Sequence, residues 1–213
     1  MPVAPGLPTW RGRLHLWAFV VAVPATVALV ILARGAVAIV SAAVFGAGLV
    51  LVFGTSATYH RLVRSPVARR RWRRVDHAMI YVLIAATYVP VCVLVLPRRV
   101  GVPLLVVVGA GAGAGVVLKL AFFQRAGRWP ALLYIVLGWG GAVVAPQLVG
   151  GLGVAPFAFL VAGGLAYTVG AAVLGRQRPD PAPLTFGYHE IWHGCTVLAA
   201  VCHFAMVTLV LAR

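Results

Sequence analysis

Seven continuous apolar runs, each about 20 residues long and so matched to a bilayer's hydrocarbon thickness, occupy most of this chain. They fall at roughly 14–33, 36–59, 78–96, 102–123, 131–149, 154–174 and 189–211. Within a membrane every backbone polar group must be satisfied internally, which leaves helices or a closed barrel. The runs are unbroken rather than alternating, so helices are expected. The charge balance agrees: the chain has 213 residues, 62% of them hydrophobic, and its only acidic side chains are Asp76, Asp180 and Glu190. A soluble domain of this size needs far more surface charge. The expected fold is an all-α integral membrane protein, one seven-helix domain over residues 1–213, in a cell membrane of the bacterial plasma-membrane type. Arg11 and Arg13 ahead of the first run resemble a secretory signal. However, the run is too long and a second follows at once, so an uncleaved first helix is expected.

Basic residues set the orientation. Of 18 Lys and Arg, 14 fall on one side: Arg11 and Arg13, seven arginines between the second and third runs, Lys119, Arg125, Arg128, Arg176 and Arg178. The other side holds Arg34, Arg98, Arg99 and Arg213. The positive-inside rule then predicts a cytoplasmic N-terminus and an external C-terminus. RRRWRR (69–74) reads as a topology determinant lying on anionic headgroups, and no nucleic-acid partner is expected. Cys92, Cys195 and Cys202 fall within runs, an odd buried set that argues against a disulfide framework. GAGAGAG (109–115) pairs Gly109 with Gly113 and Gly111 with Gly115 at the spacing of close helix packing. Pro24, Pro90 and Pro146 lie inside runs, where they are expected to kink helices.

Ionisable groups within spans are expensive and point to function. The alternation of runs brings Ser56 and His60, Asp76 and His77, and His189, Glu190 and His193 to one membrane depth. His189 and His193 lie about 40° apart and one turn along a helix, which suits two imidazoles on one Zn²⁺. Cys195 and Cys202 point about 120–150° away from His189. His203 shares the His189 face but lies about 21 Å deeper, too far for the same ion and better suited to a helix–helix hydrogen bond.

H-E-x-x-H (189–193) is also the spelling of the zinc proteases. A zincin with a glutamate as third ligand needs a second Glu, and this chain has only Glu190. Membrane-embedded relatives of that class use an Asp in an N-x-x-P-x-x-D segment, and this chain has no Asn. The third ligand would be His60, Asp76 or another His, with His60 best placed. Three histidines with an open fourth position make a catalytic geometry, in which bound water is acidified. Asp76 would hold or deprotonate that water. Ser56 would stabilise a developing oxyanion or orient Asp76, and Glu190 offers a second base or a supporting contact.

RGRLHLWAF (11–19), SATYH (56–60), VDHAMIYVLIAATYVP (75–90) and FGYHEIWHGCTVLAAVCHF (186–204) together resemble the hemolysin III branch of the progestin-and-adipoQ-receptor family. S-x-x-x-H, D-H and H-x-x-x-H are specific as a set, and the likeness covers nearly the whole chain. It implies seven helices with a cytoplasmic N-terminus. It implies an intramembrane zinc on His60, His189 and His193, with Asp76 reaching the metal through water and Ser56 beside it. Relatives have been proposed to hydrolyse lipid amides such as ceramides, whereas the hemolysin label implies membrane lysis. Receptor members carry a long cytoplasmic N-terminal extension that this sequence does not show, so hormone reception is not expected. The function read here is zinc-dependent hydrolysis of a lipid amide or ester, with membrane lipids as partners and a lipid as substrate. The rivals are a non-enzymatic homeostasis or sensor protein with a structural zinc, and a membrane-lysing hemolysin.

Overall fold

A computed structural model describes residues 8–123 and 129–213, and within them every element but an isolated bridge is helical. The helices are α1 (Arg13–Leu32), α2 (Ala36–Arg61), α3 (Pro66–Leu94), α4 (Arg98–Ala121), α5 (Trp129–Gly138), α6 (Ala145–Leu152), α7 (Val154–Arg176) and α8 (Tyr188–Leu211). Six of them are individually long and apolar enough to cross a membrane, and Leu132–Leu152 makes a seventh crossing. Arg125 and Arg128, counted above for orientation, lie outside the described residues.

Three boundaries differ from the sequence reading. The third helix begins at Pro66, not near 78, so RRRWRR is the helix's opening turns rather than a loop. Pro at its first position is pre-set for a helix start. The fourth helix likewise begins at Arg98. The fifth crossing is interrupted: a 3₁₀ segment, Gly140–Val144, separates α5 from α6. Pro146 therefore sits in the first turn of α6 instead of inside a longer helix, whereas Pro24 and Pro90 are internal to α1 and α3. Glycine is costly in a helix interior, and GWGG (138–141) is where the crossing breaks. Arg213 closes the far end by donating to the carbonyls of Gly151 and Leu152 at the end of α6.

Helices adjacent in sequence are the main neighbours, α1 on α2, α2 on α3, α3 on α4 and α7 on α8, and α1 also meets α8. Lipid tails are as apolar as leucine, so close packing rather than water exclusion holds such helices together. The larger core joins Leu29, Phe45, Leu49, Val52, Leu83 and Met206. A smaller one joins Tyr81, Ala112 and Leu137 from α3, α4 and α5. Only one of the two expected glycine pairs serves it. A Cβ on Gly115 would lie 2.3 Å from the Tyr81 ring and one on Gly111 2.7 Å from Leu137, whereas Gly109 and Gly113 meet nothing within 4 Å. Side chains such as Ile31, Val107, Val136 and Leu198 point outward from the bundle. In water they would form an aggregating surface; here they face acyl chains.

Candidate metal centre

The polar residues collect where α1 and α8 begin and α2 ends. His60 is in the last turn of α2, and His189 and His193 are in the first two turns of α8. His60 Nε2 and His189 Nε2 stand 3.3 Å apart. The ring centroids are 5.1 Å apart for His60 and His193, and 4.6 Å for His189 and His193. Each residue offers one nitrogen such that all three lie within 4.8 Å of one another, a set able to hold a metal ion. A tetrahedral centre with nitrogen about 2.0–2.1 Å from the ion has its nitrogens about 3.3 Å apart, which fits the His60–His189 spacing. His193 Nδ1 is buried and has no hydrogen-bond partner among the described residues. A buried unpaired nitrogen is costly, and one on a ring set among other imidazoles suits a cation better than it suits apolar packing.

A residue missed in the sequence belongs to this cluster. His15, in the first turn of α1, stacks on His193 with centroids 3.7 Å apart and planes 9° from parallel. Its Nδ1 is 2.8 Å from Ser56 Oγ, and Phe53 meets its ring edge-on at 5.1 Å. Its Nε2 is buried and unpartnered. His15 has no partner at i+4, so nothing in its local spacing marks it. The available signal was depth: as the third residue of α1 it shares the level of the α2 C-terminus and the α8 N-terminus.

The Glu of H-E-x-x-H does something other than the proteases' general base. Glu190 Oε1 accepts from Arg11 Nε at 2.6 Å and Oε2 accepts from the Gly187 backbone N–H at 2.9 Å. Glu190 is 1% exposed. It is the third-position carboxylate that returns to the helix start, half of a capping box, and its charge is neutralised by Arg11. Both oxygens are committed, so neither a base nor a metal contact is among its bonds. Asp180 supports the same start by accepting the Tyr188 N–H at 3.0 Å.

Asp76 and His77 stand on α3 at the edge of the cluster. Asp76 is within electrostatic reach of His15 and stands 3.5 Å from His77 Nδ1, and no direct bond joins it to the three imidazoles among the described residues. His77 turns instead toward Phe123 at 5.3 Å. His203 donates to the Leu160 carbonyl on α7 at 3.3 Å. All three cysteines are free. The structure thus brings together His15, Ser56, His60, His189 and His193, and leaves His77, His203 and the thiols outside.

Comparison with known proteins supplies the family. Residues 7–204 match the model for haemolysin-III-related proteins. The chain is 32% identical over 177 residues to Hemolysin-3 of Bacillus cereus, covering 82% of this chain and 78% of that protein. It is 33% identical over 175 residues to a Hemolysin-3 homolog of Bacillus subtilis (strain 168), covering 80% and 78%. With its seven apolar crossings, the chain is a multi-pass membrane protein belonging to the haemolysin-III-related family.

Proposed function

We propose that this protein is a zinc-dependent membrane hydrolase, with Zn²⁺ held by His60, His189 and His193 and a lipid amide or ester as substrate. The observation that carries this reading is the convergence of three histidine nitrogens within 4.8 Å at the ends of two membrane-crossing helices. Three imidazoles leave a fourth tetrahedral position free. Zinc bound there supplies Lewis-acid activation of water and of a carbonyl oxygen.

The chain's own residues do the rest. His15 fixes Ser56 through Nδ1; with Nδ1–H donating, the Ser56 hydroxyl hydrogen is free to point at a substrate oxygen as charge develops there. Asp76 is the carboxylate available to take a proton. Glu190 is not, because Arg11 and Gly187 occupy it. The 14 basic residues on the triad's side support a cytoplasmic N-terminus and an external C-terminus, with residues 1–213 acting as one domain and substrate entering from the inner leaflet.

The test uses purified protein with zinc measured by elemental analysis and ceramide and ester panels assayed by mass spectrometry. One zinc per chain and fatty-acid release abolished by chelation and restored by zinc are expected. Absence of zinc sinks the centre; zinc without turnover on any lipid sinks the hydrolase.

One observation favours a second reading. The backbones of α2 and α8 come close at few points, and an ion on His60, His189 and His193 would tie the end of α2 to the start of α8. In that reading the centre is a clamp in a non-enzymatic sensor or homeostasis protein, and Asp76 is dispensable. The name Hemolysin-3 borne by the relatives suggests lysis, which red-cell release by added protein over a detergent control would test.

A further inference from the structure

A second charged site lies on α3 and α4. Arg70, Arg73 and Arg74, with Phe123 just beyond the end of α4, line a cleft of about 80 Å³. The Arg73 guanidinium stands 5.0 Å over the Phe123 ring, and Lys119 Nζ lies 5.2 Å from the same ring and 5.5 Å from that of Tyr134. Lys119 is enclosed at 9% exposure. Two cations, Arg73 and Lys119, therefore share one aromatic ring, and Arg70 and Arg74 line the same cleft.

Among the described residues none of them is ion-paired with a carboxylate. Of the chain's three acids, Glu190 pairs with Arg11, Asp180 caps α8 and Asp76 stands 3.5 Å from His77. Arg74 directs Nη1 to the Leu120 carbonyl at 3.2 Å, which uses one donor and leaves its charge. Contact with the rings offsets only part of the like-charge repulsion. An anion with several acceptor oxygens would relieve the rest, and guanidinium forks match phosphate oxygens in pairs. The cleft sits where the apolar stretches of α3 and α4 end, the depth of phospholipid headgroups. Aromatic residues are at home at that depth.

We propose that Arg70, Arg73, Arg74 and Phe123 form a binding site for the phosphate of an anionic phospholipid headgroup, with the Lys119 charge behind it. This site does not depend on the zinc reading. A lipid is favoured over a soluble phosphate because Lys119 and Phe123 lie at the end of a crossing helix, where acyl chains continue into the bilayer.

The test is native mass spectrometry of the full-length protein in detergent, titrated with phosphatidylglycerol or phosphatidylcholine. Glycerol phosphate and inorganic phosphate serve as competitors. Wild type should prefer phosphatidylglycerol by about tenfold or more. The Arg70→Gln/Arg73→Gln/Arg74→Gln protein should lose that preference, and Arg98→Gln/Arg99→Gln, at the other membrane face, should keep it. Phe123→Leu changes no charge and should weaken phosphatidylglycerol binding about threefold by removing the ring under Arg73. If the triple variant does not fold, Phe123→Leu decides alone. Unchanged affinity in either variant, or equal loss in the Arg98/Arg99 control, would overturn the site. Competition by glycerol phosphate as effective as the lipid's own binding would overturn the lipid assignment.

Discussion

Helix α8 carries two buried histidines, and their surroundings differ in kind. His203, deep in the helix, donates to Leu160 O at 3.3 Å and rests against Gly163, where a Cβ would come within 2.4 Å of the ring. Its hydrogen bond and its packing account for it. His193, near the start of the same helix, is 2% exposed, has an unpartnered Nδ1, and is ringed by His15, His60 and His189. Among the described residues no group partners that Nδ1. A histidine whose polar valence is met by a neighbouring carbonyl is packing; one left unmet among other imidazoles belongs to a set able to hold a metal ion.

The largest expected effect breaks the comparison at its polar end. His60→Ala or His193→Ala should reduce bound zinc to a small fraction of wild type, whereas His203→Ala should retain it; elemental analysis of the purified proteins decides. Equal zinc in wild type and His60→Ala would remove His60 from the centre. Next in size is Asp76→Asn, which should keep the metal and lower lipid turnover by about 10²–10⁴-fold. Turnover retained at the wild-type level would favour the clamp.

Glu190→Gln sharpens the contrast between the cap and the centre. It should keep zinc while costing about 2 kcal/mol, because it leaves Arg11 without its counter-charge; thermal unfolding in detergent measures this. A loss of zinc as complete as in His60→Ala would return Glu190 to the metal. The smallest effect is expected of His203→Ala, at about 1 kcal/mol for the lost interhelical hydrogen bond. A loss of turnover there, with stability unchanged, would make His203 more than packing.

Much of this was legible in the linear chain. The crossings follow from apolar length alone, and His60, His189 and His193 follow from i, i+4 spacing and common depth. What was hidden was hidden for physical reasons. The first turns of α3 carry so many arginines that no apolar periodicity marks them as helix, and only Pro66 signals the start. The break between α5 and α6 lies in a run whose hydropathy is continuous across it. Glu190 sits at once in a metal-protease spelling and at the third position of a helix, and tertiary contact with Arg11 selects the second. His15 was unreadable because its partners, Ser56 and His193, are remote in sequence. The outward faces of Gly109 and Gly113 reflect which side of α4 met a neighbour, which spacing alone does not specify.

The segment before α1 is stitched to the loop before α8: Thr9 and Trp10 donate backbone N–H groups to Leu184 and Thr185, and Arg11 reaches Glu190, 179 residues away. In the order of synthesis these partners are made far apart. At about 5–20 residues per second, Arg11 and His15 wait roughly ten to forty seconds for the partners that complete them. The histidine cluster therefore cannot close before the start of α8 has been made, and a chain ending before residue 188 holds six of the seven apolar crossings but lacks His189 and His193.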